Sequence, residues 1–151
     1  MIIWFTGQPG SGKTTLAKGL QAKAKIGEPS GEWWLIDGDE LREVQPEGFD
    51  VRGRFNNVSR AQDIALYLHN RGENVVVALV SPNRAQREWL KEKVGRLMLE
   101  FYLHTDELRG REHFFSEHYE QPEKDYQSID TGMKTSAECL DTVVASIMGL
   151  H

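Results

Sequence analysis

Gly7-Gln8-Pro9-Gly10-Ser11-Gly12-Lys13-Thr14 fills every fixed position of the pattern G-x-x-x-x-G-K-[ST]. The short apolar run Ile2 to Thr6 precedes it. A stretch from Lys13 to about Lys25 follows, with Leu16, Ala17 and Leu20 on one helical face. Strand, glycine loop and helix in that order read as a phosphate-binding loop. Glycines permit the tight turn and expose backbone N–H groups, and the helix start adds a positive end. Residues Gly7 to Thr15 are therefore expected to bind ATP. Lys13 should reach the outer phosphates, the Thr14 hydroxyl should help hold Mg2+, and Thr15 should touch the inner phosphates.

Outward from the loop, strands and helices alternate. Further strands are expected at Trp33 to Ile36, Asn74 to Val80, Leu97 to Leu103 and Tyr126 to Ile129. Helices are expected from near Asp39 to Val44, from Asn56 or Asn57 as cap to about Asn70, over Arg84 to Val94 and over Ser136 to Met148. Gln45 to Phe55 reads as an irregular segment at the mouth of a cleft, and Thr105 to Glu123 as a short helix plus loop. The order predicts an α/β fold: one P-loop kinase-like domain over 1–151, a three-layer sandwich with a mainly parallel five-stranded sheet. Ligands belong beyond the C-terminal strand ends, where Gly7, Asp37, Ser81 and Thr105 converge.

Composition narrows the partners. The 151 residues carry a formal net charge of -5. That balance gives no general attraction to nucleic acid or to an anionic membrane, so neither is expected as a partner. A single cysteine, Cys139, excludes an intrachain disulfide. The N-terminal apolar run is too short for a signal peptide and lacks a basic segment before it, so a cytoplasmic protein is expected. His113 and His118 lack a metal-ligand pattern, and no zinc site is expected.

The acceptor side is read from Asp37-Gly38-Asp39, which follows the second strand, with Arg42 one helical turn beyond Asp39. A carboxylate beside MgATP suits an acceptor hydroxyl that must give up or share its proton. Asp39 is assigned that role, with helix capping as the bland alternative. Asp37 is expected to act on magnesium through a water or to hold the loop. Arg52, Arg54 and Arg60 follow, interleaved with Phe49 and Phe55. Such rings can sandwich a base while arginines bind phosphate or sulfate oxygens. Ser81-Pro82 ends a valine-rich strand at the same rim, as a ligand contact or simply as the loop that starts the next helix.

These segments resemble the adenylylsulfate kinase family. The resemblance runs through Gly7 to Thr15, Ile36-Asp37-Gly38-Asp39 with Arg42, and Gly48-Phe49-Asp50 with Arg54, Asn57 and Arg60. It continues through Val80-Ser81-Pro82-Asn83-Arg84 with Arg87, Tyr119-Glu120-Gln121-Pro122-Glu123, and Asp130-Thr131. It implies MgATP-dependent phosphorylation of the 3'-hydroxyl of adenylyl sulfate, a small anionic nucleotide. Asp39 would be the catalytic carboxylate, and Arg42, Phe49, Arg54, Asn57, Arg60, Ser81 and Pro82 would surround the acceptor. Arg109 or Arg111 would approach the ATP base or phosphates from a lid. A homodimer is also implied.

Two departures stand out. The interval Thr105 to His118 contains neither the family's Lys-Gly-Leu-Tyr-like stretch nor its Phe-Thr-Gly-Ile-like stretch, so the aromatic that covers the acceptor base is missing. Phe114 and Phe115 are the candidates to replace it. The family's paired arginines are here Ser59-Arg60, with one charge gone from a presumed oxyanion contact. A kinase for another nucleotide, nucleoside or small hydroxyl metabolite, and a nucleotide-binding regulator with little turnover, therefore stay open as alternatives. An end kinase for nucleic acid would need a basic patch that the sequence does not display.

Overall fold

The computed structural model describes residues 1–150. The strands are β1 (Ile2–Thr6), β2 (Trp33–Asp37), β3 (Asn74–Ala78), β4 (Met98–His104) and β5 (Gln127–Asp130). The helices are α1 (Lys13–Lys25), α2 (Gly38–Val44), α3 (Val51–Asn70), α4 (Arg84–Val94) and α5 (Ser136–Met148). The sheet runs in the order β2-β3-β1-β4-β5, and all four pairings are parallel.

β1 lies at the centre, and all five of its residues are buried. Its alternation divides the core into two layers. Ile3 and Phe5 join Leu16, Leu20, Phe101, Val143 and Ile147 on the α1/α5 face. Ile2 and Trp4 join Val58, Ala61, Val77 and Leu90 on the α3/α4 face. Each such fully buried apolar side chain contributes about 1.5–3 kcal/mol. Among the described residues, no helix is long and apolar enough to cross a membrane.

Three boundaries differ from the sequence expectation. α3 starts at Val51, not near Asn57, because the Asp50 carboxylate caps it by accepting from Gly53 N at 2.8 Å. Gly53 permits this: a Cβ there would lie 2.3 Å from the Gly48 carbonyl oxygen. Arg54 and Asn57 are therefore helical residues on a buried face. β3 ends at Ala78; beyond it two long backbone bonds remain, Leu79 N to Phe5 O and Gly7 N to Val80 O, both 3.4 Å, and Thr6 Oγ1 donates to Val80 O at 2.8 Å. The segment after β4 contains only one three-residue 3-10 turn, Glu112–Phe114.

A buried ion cluster fixes the far side of the sheet. Glu100 on β4 accepts from Arg87 Nε at 2.9 Å and from Lys91 Nζ at 2.8 Å, and the Arg87 and Glu100 side chains are both fully buried. Arg87 also donates to the carbonyls of Ser81 and Glu120. One guanidinium thus ties α4, β4, the post-β3 loop and the return from the lid.

Candidate active site

The phosphate loop joins β1 to α1 with Gly12 as helix cap at φ 102, in the left-handed region. Gly7 must be glycine for a steric reason: a Cβ there would sit 2.2 Å from the Leu103 carbonyl oxygen. Lys13 folds back over the loop, donating to Gly7 O and Gln8 O, each at 2.9 Å, and to Ser11 Oγ at 3.3 Å. Burial, reinforced by the Arg111 charge, brings the Lys13 ammonium down to about 7. The negative charge of a phosphate group would oppose both effects.

β2 delivers two carboxylates to the same place. Thr14 Oγ1 donates to Asp37 Oδ1 at 3.4 Å. Burial, followed by the neighbouring Asp39 charge, raises Asp37 above the ordinary aspartate range. A hydroxyl and a carboxylate side by side are hard oxygen donors that fit Mg2+, which keeps most of its remaining positions for water and phosphate. Asp39 stands in the first turn of α2, past the cap position, so capping is not its role. Its Oδ1 lies 3.6 Å from Arg42 Nη1, and its side chain is 66% exposed.

Arg54 and two rings build the opposite wall. The Phe49 ring lies beneath the Arg42 guanidinium at 4.2 Å and meets Phe114 of the lid at 5.4 Å between centroids. Arg54 is 4% exposed. One of its nitrogens donates to the Phe114 carbonyl, while its Nε and Nη1 have no partner among the described residues. Arg42 Nε is likewise buried without one. Burial lowers both arginines from their ordinary value. Buried guanidinium N–H groups without acceptors are costly unless an anion supplies the oxygens.

Together these walls enclose a cavity of about 320 Å³. Pro9, Gly10, Gly12, Lys13, Thr14 and Thr15 line the phosphate-loop end, and Asp37, Asp39, Arg42, Phe49 and Arg54 the other. Both lid arginines reach it. Arg109 donates to Gly10 O at 2.9 Å and Thr131 O at 3.0 Å, and Arg111 stands over the Phe114 ring at 5.4 Å. Of the two lid phenylalanines, Phe114 lines this cavity, while Phe115 lies on the other side of the loop.

Several expected contacts point elsewhere. Ser81 lines the cavity, but its hydroxyl accepts from Trp4 Nε1 at 2.9 Å and donates to Leu79 O. Pro82 faces a separate groove beside Phe55. Asn57 is fully buried and donates to Gly38 O at 3.2 Å, holding the start of α2. Arg60 pairs with Glu47 at 2.9 Å. The Gln8 side chain turns to Ser116 in the lid. Sequence reasoning missed the apolar floor of Val58 and Leu79. Val58 stands four residues after Arg54, the spacing of one helical face, and becomes legible only once α3 is known to begin at Val51.

Residues 1–127 match the family described as adenylylsulphate kinase. The chain belongs to the adenylylsulfate kinase family. The adenylyl-sulfate kinase of Prochlorococcus marinus is 32% identical over an alignment of 173 positions, which covers 100% of this chain and 85% of that protein. That of Citrobacter koseri is 37% identical over 97 residues, 62% of this chain and 47% of that protein, so the match spans about half the relative's length. The APS kinase CysC of Mycobacterium tuberculosis, in complex with AMPPNP and APS, shares the fold with a TM-score of 0.78 at 22% identity, over 97% of this chain and 96% of that one. Against the family pattern, Ser59 replaces an arginine. It packs on α4, where its Oγ accepts from Gln86 Nε2 at 2.9 Å. Ser59 itself does not line the cavity.

Proposed function

We propose that this chain transfers the terminal phosphate of ATP to the 3'-hydroxyl of adenylyl sulfate. The observation that carries the reading is the wall opposite Lys13: Arg54, buried with two nitrogens lacking acceptors, beside the facing rings of Phe49 and Phe114. A ligand with a planar base and a compact anionic group answers both needs.

Each residue then has a task. The amides of residues 7–15 and Lys13 cradle the triphosphate, with Arg109 and Arg111 closing over it from the lid. Thr14 and Asp37 would hold Mg2+, which would offset the charge of the phosphates. Phe49 and Phe114, now touching at 5.4 Å between centroids, part to take the acceptor base, and Arg42 and Arg54 bind its anionic group. Asp39 takes or shares the proton of the attacking hydroxyl as the bond from the terminal phosphorus to ADP breaks and a bond to the 3'-oxygen forms. Arg42 keeps the Asp39 carboxylate aimed into the cavity. Fixing both partners in one 320 Å³ cavity supplies the proximity that phosphoryl transfer relies on.

The test is ADP release by purified protein with MgATP and, in turn, adenylyl sulfate, AMP and buffer alone. The reading expects release that depends on adenylyl sulfate and is far slower with AMP. Equal release in all three would contradict it.

A further inference from the structure

We infer that Gln8 is a positioning residue whose side-chain amide latches the short lid to the phosphate loop, coupling the nucleotide end of the cavity to the acceptor end. The assignment of those ends rests on the function proposed above. Gln8 Nε2 donates to Ser116 O at 2.9 Å, and Ser116 N donates to Gln8 Oε1 at 2.9 Å. Only an amide side chain offers a donor and an acceptor together in the geometry of a peptide group. The side chain lies outside the cavity and touches nothing there.

The latch sits at one end of a chain of contacts. Two residues before Ser116, the Phe114 carbonyl accepts from Arg54 and the Phe114 ring faces Phe49. The stretch Phe114 to Ser116 is therefore tied to α3 at one end and to the phosphate loop at the other. Residues 106–111 are exposed, so polar ties rather than core burial hold this lid. The Gln8 backbone carbonyl also accepts from Lys13 Nζ. When Lys13 turns to a phosphate, that bond is released and the Gln8 carbonyl keeps its bond from Ser11 N at 3.2 Å, so the Gln8 peptide can shift by a small amount. Two side-chain bonds carry the movement into the segment that bears Phe114. An energetic coupling between sites needs such a shared element with two arrangements.

Gln8→Leu removes both bonds at similar volume. The KM for adenylyl sulfate should rise about tenfold, the net size of two ordinary hydrogen bonds, while the KM for MgATP moves by less than about twofold. In a Phe114→Ala background the same substitution should add nothing, because the residue it positions is gone. An equal rise in both backgrounds, or a rise confined to MgATP, would overturn the assignment. A second measurement does not depend on the acceptor: hydrogen exchange over residues 112–118 in the ligand-free protein. Gln8→Leu should speed it about tenfold, again the size of the two lost bonds. Unchanged exchange would overturn the latch whichever acceptor the enzyme uses. If wild-type protein left adenylyl sulfate unphosphorylated, the proposed function would fail while the exchange result still decided the latch.

Discussion

Phe49 and Phe114 meet with ring centroids 5.4 Å apart and planes tilted by 47°, one ring from the turn before α3 and the other from the lid. They come from segments 65 residues apart, and the Arg54 bond to the Phe114 carbonyl ties the lid to α3 at that point. Phe114, and not Phe115, lines the cavity, which makes it the candidate for the family's missing lid aromatic. Replacing it with alanine should raise the KM for adenylyl sulfate about tenfold or more, since stacking on a base is worth about 1–3 kcal/mol. Phe115→Ala should have little effect, because that ring lies beyond the phosphate loop. Steady-state kinetics on the two variants checks the assignment.

Lys13 gives a pH prediction. In the ligand-free protein it sits at about 7, below its ordinary 10.5. Between those values the unfolded chain holds more protons, so this group's contribution favours the folded state increasingly as pH rises through that window. Binding a triphosphate restores the charge. Calorimetry in buffers of different ionisation enthalpy should therefore show proton uptake on nucleotide binding at about pH 8, falling away by about pH 6 where Lys13 is already charged. Lys13→Met should abolish the uptake.

The two carboxylates should separate cleanly. Asp39→Asn keeps shape but cannot take a proton, so kcat should fall about 100-fold or more with nucleotide affinity little changed. Asp37→Asn should instead raise the Mg2+ concentration needed for half-maximal rate, because its partner is Thr14. Magnesium titrations of the two variants distinguish the roles. Normal turnover by Asp39→Asn would remove it as the base.

Far from the cavity, Glu100 balances two cations, one of them the fully buried Arg87. Glu100→Gln leaves that guanidinium without a counter-charge. Such a loss costs about 3–5 kcal/mol, and denaturant unfolding should register it as a lower midpoint. The Ser81 loop and the Glu120 segment should loosen with it, since Arg87 holds both carbonyls.

The sheet was legible because β1 is apolar on both faces and the phosphate loop follows it directly. The nucleotide half of the cavity was legible for the same reason: consecutive residues of one motif build it. The acceptor half was less so. Asp50 took the capping role expected of Asn56 or Asn57, through a close Gly48–Gly53 approach that no local pattern announces. That shift put Val58 in the cavity floor and sent Arg60 to Glu47. Ser81 stood at the rim as expected, yet its hydroxyl went to Trp4, a partner 77 residues away. Side-chain direction at such points depends on tertiary neighbours, which spacing does not encode.

The most direct measurement is the mass and phosphate position of the product formed from MgATP and adenylyl sulfate. One added phosphate on the 3'-oxygen, formed by wild-type protein and lost in Asp39→Asn, is the predicted result. A protein that binds MgATP and stays folded, yet leaves adenylyl sulfate unmodified, would contradict the account.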